Sequence, residues 1–514
     1  MEKENINLLD FPWIPLAARS KPVSLLELWE STTPALLAGN AVEKIVLLRF
    51  LLCLAHAANP IRNGMEWKLL TTEDMASRVR HYLLGHRDCF YLYGKRPFLQ
   101  VPELAKINDS APLSLGSLQV NVAEGNKVVL TQWNHYRPPS EAEKILLLLR
   151  SACFACGGKK FRKDLVLSHG VEKRSGRMGT LLGFKGYLHT YMWGDTLLDT
   201  IRLNLLTEED VMSWRAFKGM GRPFWEEMPK GENDARAQEY RKSYQGQLFP
   251  LDKFLLLQGE GILATDGIAY PSHKEENDLL IDPALTIREE KKERRTLWTD
   301  TTNRPWRSLP SILAFLHADK DQNSPPYFAS YGLPRVRENT NGNAQACLWV
   351  GGVSVSSNSG EQYLSGRNDY VESMISLPIA NLNSSGYDTF KKFMEEVESQ
   401  AQTVYSCVRG YFGEFKDDRG PEFAATAKSS FLEKMETRLE RIVALAFDSP
   451  APPDEAKEQN EKSLWKEFRN QVYDSFCPHS TPRQLTAWVE HNPRYPQKQR
   501  NELQKERKQK KEKK

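Results

Sequence analysis

The chain is expected to be α+β, with a large mixed N-terminal domain followed by a C-terminal four-helix bundle. Three observations carry that expectation. At 514 residues it exceeds what one hydrophobic core usually serves, so two or more domains are the default. In its first three quarters, strand-like and helix-like apolar patterns alternate between glycine- and proline-rich connections. Beyond Pro378 the pattern becomes long amphipathic helices separated by short breakers. The expected domains are therefore 1–377 and 378–514.

Composition sets the broad class. Apolar residues at 40% and charged residues at 26% are ordinary for a globular protein. A formal net charge of +4 does not point to a partner by itself; the positive charge is concentrated in a few places. The seven cysteines are scattered, apart from Cys153 and Cys156, which argues for a reducing compartment and against a disulfide framework. Met1–Asp10 is charged and polar where a signal peptide would need an apolar core. Leu36–Ala58 is apolar-rich but interrupted by Asn40, Glu43, Lys44 and Arg49, so it reads as a core helix. The expectation is a cytoplasmic protein without a membrane partner.

In chain order, NLLDFPWIPL is a short extended piece anchored by Phe11, Trp13 and Ile14. Ser24–Glu30 predicts a short helix with Ser24 as N-cap. Helices follow over Ala41–Ala57 and Glu73–Tyr82, and FYLYGKRPFLQV turns at Gly-Lys-Arg-Pro. Leu113–Thr131 predicts short strands, and Glu141–Cys156 and Asp195–Thr207 predict buried helices. Asp252–Gln258 reads as a strand, with a turn at Thr265, Asp266 and Gly267 before Ile268–Tyr270. The charged run Arg288–Arg295 reads as a solvated face, Leu309–Ala318 as a helix, and Leu348–Tyr363 as a strand leading into a polar loop. The bundle helices are expected over Asp388–Tyr411, Pro421–Phe447, Pro453–Phe476 and from Thr481, joined by short loops as in an antiparallel bundle. The tail from Arg494 carries ten Lys/Arg and three Glu, a segment suited to a polyanion.

Motifs for chemistry are sparse. Cys153-Phe-Ala-Cys156 has zinc-ligand spacing, but a structural zinc needs four ligands; without a second such pair, core packing is favoured. No HExxH, GxSxG, Walker A or strand–helix GxGxxG is present. The expectation is no catalytic residue, metal or cofactor. An enzyme with a dispersed active site, processing nucleic acid, is the alternative, and a pure scaffold is a third possibility.

Three loops point to nucleic acid. Gly157–Gly186 carries seven glycines and eight Lys/Arg against two acids; glycine permits close backbone approach and the cations attract phosphate. A solvated surface loop explains the same composition. In Gln132–Arg137, the residues Trp133, Asn134, His135, Tyr136 and Arg137 suit stacking on unpaired bases, or a packed aromatic turn. Ser354–Gln362 offers short polar side chains for a base edge, or is an ordinary loop.

Taken in order, several pieces resemble the CasA family, the large subunit of the type I-E CRISPR Cascade complex. They are NLLDFPWIP at Asn7–Pro15, the helix at Ala41–Ala57 and RPFLQ at Arg96–Gln100. The glycine loop leading into GDTLLDTIRLNLLT at Gly194–Thr207 follows, then RPFWEE at Arg222–Glu227, Asp282-Pro283 with Trp306 beyond it, and the bundle. The resemblance implies a non-catalytic subunit that inspects double-stranded DNA for a protospacer-adjacent motif and promotes unwinding. It further implies contact with guide RNA and other Cascade subunits, and reception of a helicase–nuclease after R-loop formation. Residue by residue, it puts backbone approach at Gly176 and Gly179. Lys274 is the nearest lysine before the Asp-Pro pair for the minor groove, at a spacing that departs from the family's. The wedge falls on Ser357, Asn358, Ser359 and Gly360, with Gln362 a displaced substitute for the family's glutamine. Guide contact falls on Trp133, Asn134, His135, Tyr136 and Arg137.

Overall fold

The structure, a computed structural model, describes residues 6–17, 19–30, 36–106, 112–115, 138–156, 179–213, 217–231, 234–270, 282–285, 287–290, 293–316, 328–339, 345–358, 361–364, 369–379, 382–447, 455–495 and 502. For 287–290, 293–295, 315, 339, 357–358 and 361–363 the description covers the backbone alone. The fold is mixed helix and sheet with a helical C-terminal region, and it divides into two compact units. One comprises Met1–Asn341 and Ala346–Ile375, the other Gly342–Gln345 and Ser376–Lys514.

The first unit opens with α1 (Leu25–Glu30), α2 (Ala41–Ala58), α3 (Gly64–Leu69) and α4 (Thr72–Gly85). Their starts are written locally. Ser24 Oγ accepts from the Glu27 N–H while the Glu27 carboxylate accepts from the Ser24 N–H at 2.9 Å. Asn40 and Glu43 make the same reciprocal box at 3.0 Å in both directions. Helix α2 is buried continuously from Ile45 to His56, as a helix apolar on every side must be. No helix among the described residues is long and apolar enough to cross a membrane.

Phe50 of α2 is the centre of an aromatic cluster, with ring centroids 6.1 Å from Trp13, 5.7 Å from Phe98, 5.7 Å from Trp225 and 6.4 Å from Phe249. The fragments NLLDFPWIP, RPFLQ and RPFWEE therefore meet on one helix. Their tryptophan and phenylalanine rings are core, packed edge-on or tilted as aromatic quadrupoles prefer.

Next come β1 (Leu113–Ser114), α5 (Glu141–Cys153), β2 (Leu188–Trp193), α6 (Leu197–Leu203), α7 (Glu208–Met212), α8 (Ala235–Arg241), α9 (Tyr244–Leu248), β3 (Lys253–Gln258) and β4 (Gly261–Asp266). Then follow β5 (Ile287–Glu290), β6 (Glu293–Thr296), α10 (Leu309–Ile312), α11 (Phe328–Asn339), β7 (Gln345–Val353), β8 (Ser356–Asn358), β9 (Glu361–Tyr363) and β10 (Tyr370–Pro378). Two three-stranded sheets run in the orders β1-β4-β3 and β10-β7-β2, and β5-β6 and β8-β9 are separate hairpins.

Several expectations change here. Thr265 and Asp266 are strand residues, because the hairpin turns at Gly259-Glu260 with Gln258 opposite Gly261. A two-residue turn headed by a left-handed glycine (φ +61°) matches strand twist better than the polar triplet does. Within the charged run, β5 and β6 pair antiparallel, with Glu289 opposite Arg294. Within the expected helix Leu309–Ala318 the described residues form two short turns, α10 and a 3-10 turn over Ala314–Leu316. Helix α11 was not expected: it carries Pro334 in its interior, a residue that removes a hydrogen bond and argues against helix. Of the strands expected in Leu113–Thr131, only Leu113–Ser114 lies among the described residues as strand.

The second unit contains α12 (Ser384–Gly413), α13 (Gly420–Glu436), α14 (Leu439–Phe447), α15 (Glu455–Phe476) and α16 (Pro482–Glu490). The stripe Phe390, Phe393, Val397, Ala401, Val404 and Val408 is buried as periodicity demands. Phe390 packs on Phe447 at 5.7 Å and Phe393 on Trp465 at 6.1 Å. The expected helix Pro421–Phe447 is two helices, broken at Thr437 and Arg438. The break aims Arg438 at Glu461, which accepts from it at 2.9 and 2.7 Å.

Candidate nucleic-acid interface

The end of the glycine loop, the Asp-Pro segment and the start of the β8-β9 hairpin meet around β2. This strand is buried along its length and runs antiparallel to β7, with Leu188 opposite Gly352 and Trp193 opposite Cys347. Asn204 clasps its far end, accepting from the Met192 N–H at 2.9 Å and donating to the Met192 carbonyl at 2.8 Å. On the other side lies the Asp-Pro segment: the Thr190 N–H donates to the Ala284 carbonyl at 2.7 Å, and His189 bridges Leu285. The end of the glycine loop enters β2 through a tight turn, in which Gly186 has φ +91°. A Cβ there would stand 1.7 Å from the Val353 carbonyl oxygen, so only glycine lets these backbones touch. The Val355 N–H then donates to the Lys185 carbonyl at 3.1 Å, tying the start of the β8-β9 hairpin to the same turn.

A buried polar relay crosses behind this frame. Arg49 of α2 donates through Nη1 to the Leu248 carbonyl at 3.0 Å and through Nη2 to both Asp282 oxygens at 2.8 and 2.6 Å. The same Nη2 lies 3.2 Å from His189 Nδ1, and His189 Nε2 lies 3.0 Å from the Leu181 carbonyl. A guanidinium only donates, so Nδ1 accepts and the imidazole proton sits on Nε2, donated to Leu181. Burial and the adjacent Arg49 charge push the His189 pKa down to about 4, which keeps this neutral tautomer in place. For Arg49, burial pulls the pKa down most strongly, but Asp282, Tyr191 and Cys153 together outweigh it and the net direction is up.

A second clamp holds the glycine-loop end. The Asp252 carboxylate accepts from the Thr180 N–H at 2.8 Å and from Thr180 Oγ1 at 2.5 Å. Desolvation raises the Asp252 pKa to about 7, against the lowering effect of those Thr180 bonds. Beside the turn, Phe184 is 45% exposed and Trp298, stacked on Tyr187 at 4.8 Å, is 38% exposed. With exposed Lys185 between Phe184 and the strand, the surface offers aromatic faces and a cation, which suits bases and phosphate. Phe184 and Trp298 were not among the individually expected contact residues; the Gly-Phe-Lys-Gly run at 183–186 was the available signal.

Gly179 is buried, and a Cβ on it would stand 1.9 Å from the Ala155 carbonyl, so its want of a side chain serves packing against the end of α5. Ser357 pairs with Gln362 across the β8-β9 hairpin, and Asn358 with Glu361. The displaced glutamine is thus the cross-strand partner of a serine expected in the wedge. Gly176, Lys274, Ser359, Gly360 and the guide-contact set Trp133, Asn134, His135, Tyr136 and Arg137 lie outside the described residues. That set precedes α5, which is capped by Ser140 and Glu143. The helix separates its base from the Gly179 packing site by about 20 Å, at ~1.5 Å per residue.

Cys153 is fully buried and Cys156 half-buried at the end of α5, where burial raises the Cys153 pKa, in keeping with core packing. Among the described residues one group could share an ion. Glu414, Glu490 and His491 of the second unit have donor atoms within 4.8 Å of one another, and His491 Nε2 lies 3.8 Å from Glu414.

The family model for CRISPR-associated protein Cse1 matches residues 7–472. The chain belongs to the Cse1 family. It is thereby a large subunit of Cascade, the CRISPR surveillance complex. Among solved structures it is similar to Thermobifida fusca Cse1, with TM-score 0.73, 18% identity and 98% of each chain covered. It is similar also to the CasA of Thermus thermophilus, with TM-score 0.70, 19% identity and coverage of 98% of this chain and 100% of that one. A chain of a structure described as a CRISPR RNA-guided surveillance complex aligns at TM-score 0.65 and 17% identity, over 97% of this chain and 99% of that one. Comparison with curated proteins finds no match. In this Cse1 chain the short motifs that carried the resemblance are largely core. Phe98, Phe224 and Trp225 pack around α2, Trp306 is buried, and Asp282 is the partner of Arg49.

Proposed function

We propose that this Cse1 chain is the motif-recognising subunit of a type I-E Cascade: it reads a protospacer-adjacent motif in double-stranded DNA and starts unwinding. The observation that supports this reading is the meeting of the glycine-loop end, the Asp-Pro segment and the β8-β9 hairpin on β2. Three short backbone elements rooted on one rigid strand suit inspection of a few base pairs, because a permissive minor-groove readout needs shape and few contacts. Base pairing with the guide then reads the longer sequence. In this reading Gly176 and Lys274 approach the motif, and buried Gly179 seats the loop end that carries Gly176. Ser357, Asn358, Ser359, Gly360 and Gln362 form or support the wedge, and the set from Trp133 to Arg137 holds the guide RNA. Residues 1–377 carry recognition, and 378–514 form a bundle with a basic tail. The subunit works in the cytoplasm without catalysis of its own and receives a helicase–nuclease once the R-loop has formed.

The test is the assembled complex with guide RNA, titrated with duplexes that carry a randomised flanking motif. Lys274→Ala and Asn358→Ala should weaken binding of motif-bearing duplex about tenfold, within the range of lost base-edge contacts, and leave binding of a pre-unwound target nearly unchanged. Equal affinity of wild type and both variants for every duplex would leave only a scaffold role. Cleavage of labelled DNA by the purified chain with divalent metal would point instead to an enzyme.

A further inference from the structure

We propose that Arg49, His189 and Asp282 are positioning residues that set motif discrimination: their buried relay locks the end of the glycine loop and the end of the Asp-Pro segment into one register. This inference rests on the motif-recognition reading above and adds a mechanism to it. The relay links four places in the chain that no local structure joins. His189 stands 140 residues from Arg49, and Asp282 stands 233 residues from it. One end is the Leu181 carbonyl, two residues past Gly179; the other is Asp282, which follows directly on the segment containing Lys274. Between the ends each contact is single-valued. The guanidinium is fully buried and bridges Leu248, Asp282 and His189 at once. His189 has one tautomer that satisfies both neighbours. Asp282 Oδ1 also accepts from the Ala284 N–H at 2.9 Å, so the carboxylate orients its own backbone.

Stability alone does not require this construction. A buried ion pair replaced by well-packed groups of similar volume often leaves a fold as stable, so its directional bonds are available to select one register over others. The backbone contacts of β2 with Ala284 and Gly352 use none of the relay's side chains, so neutralising the relay leaves them their partners. What is lost is the pin that holds Leu181 and Asp282 at a fixed separation. A reader of a short motif depends on that separation, since displacement of one contacting loop relative to the other weakens right and wrong motifs alike and removes the difference between them.

The experiment uses assembled complexes with guide RNA containing His189→Leu, His189→Gln or the double change Arg49→Met/Asp282→Asn. Affinity is measured for matched duplex and for duplex with a substituted motif, and each purified chain is melted. The expected result is a matched-to-substituted ratio reduced roughly tenfold, the scale of one base-pair mismatch, for His189→Leu and for the double variant. Their melting temperatures stay near that of wild type. His189→Gln restores the ratio, because an amide can accept from Arg49 and donate to Leu181 together. An unchanged ratio in well-folded variants overturns the proposal, and so does a loss that follows melting temperature across all variants. A complex lacking the subunit that still discriminates motifs would instead remove the recognition reading itself, separating the two failures.

Discussion

An arginine–carboxylate pair is buried in each unit, and the two pairs sit in contrasting surroundings. In the first unit Arg49 and Asp282 are 0% and 9% exposed and lie 233 residues apart. In the second, Arg438 and Glu461 are 29% and 8% exposed and 23 residues apart, beside a helix break. The second unit is built from long helices whose apolar stripes find one another through short connections, so its ion pair trims a packing already specified. The first unit assembles short strands, turns and aromatic fragments from distant sequence. There a directional pair tells remote segments which of them belong together.

The sharpest way to break that contrast is single truncation. Arg49→Ala leaves Asp282 buried without its cation, and denaturant unfolding should show a loss of about 3–5 kcal/mol. Phe50→Ala should cost a similar amount, about 3–5 kcal/mol, by emptying the centre of the aromatic cluster. If the double change Arg49→Met/Asp282→Asn proves as damaging as Arg49→Ala, the pair matters for stability and not only for register.

Glycines give the next comparison. Gly186→Ala places a methyl against the Val353 carbonyl at positive φ. Left-handed backbone alone costs an alanine about 1–2 kcal/mol, and the clash adds to it, so thermal unfolding should shift down clearly. Gly413→Ala, at the end of α12 with nothing within 4 Å, should be neutral or raise stability by about 0.5–1 kcal/mol. Arg438→Ala should cost about 1–2 kcal/mol, the range of a charged hydrogen bond with one partly solvated partner.

The smallest effect is a pH dependence. The Asp252 pKa lies near 7 in the fold, above the ordinary value of about 3.9. The folded chain therefore takes up a proton that the unfolded chain refuses between about pH 7 and pH 4, and stability from this group rises as pH falls through that window. Urea melts at about pH 8 and about pH 6.3 should show a gain of about 1 kcal/mol in wild type relative to Asp252→Asn. Identical slopes for the two proteins would show that Thr180 holds the ionised carboxylate at no cost.

Much of this could be read from the chain. The Ser24 cap, helix α2 and the stripes of the second unit follow from spacing, because caps and helical periods are local rules. The Gly259 turn and α11 with Pro334 were misread or missed. In each, pairing across strands or packing around a helix outweighed the local signal. The Phe98, Phe224 and Trp225 motifs were legible as motifs, but nothing in their order says that they share Phe50.

By itself the sequence determined the class of fold and the family, through local propensity and the order of short motifs. Only the tertiary structure decided that the glycine-loop end, the Asp-Pro segment and the β8-β9 hairpin share one strand, and that Arg49 joins two of them. Local rules act over one or two turns of chain. A hydrogen bond between Arg49 and Asp282 exists only once the intervening chain has folded and excluded water from both.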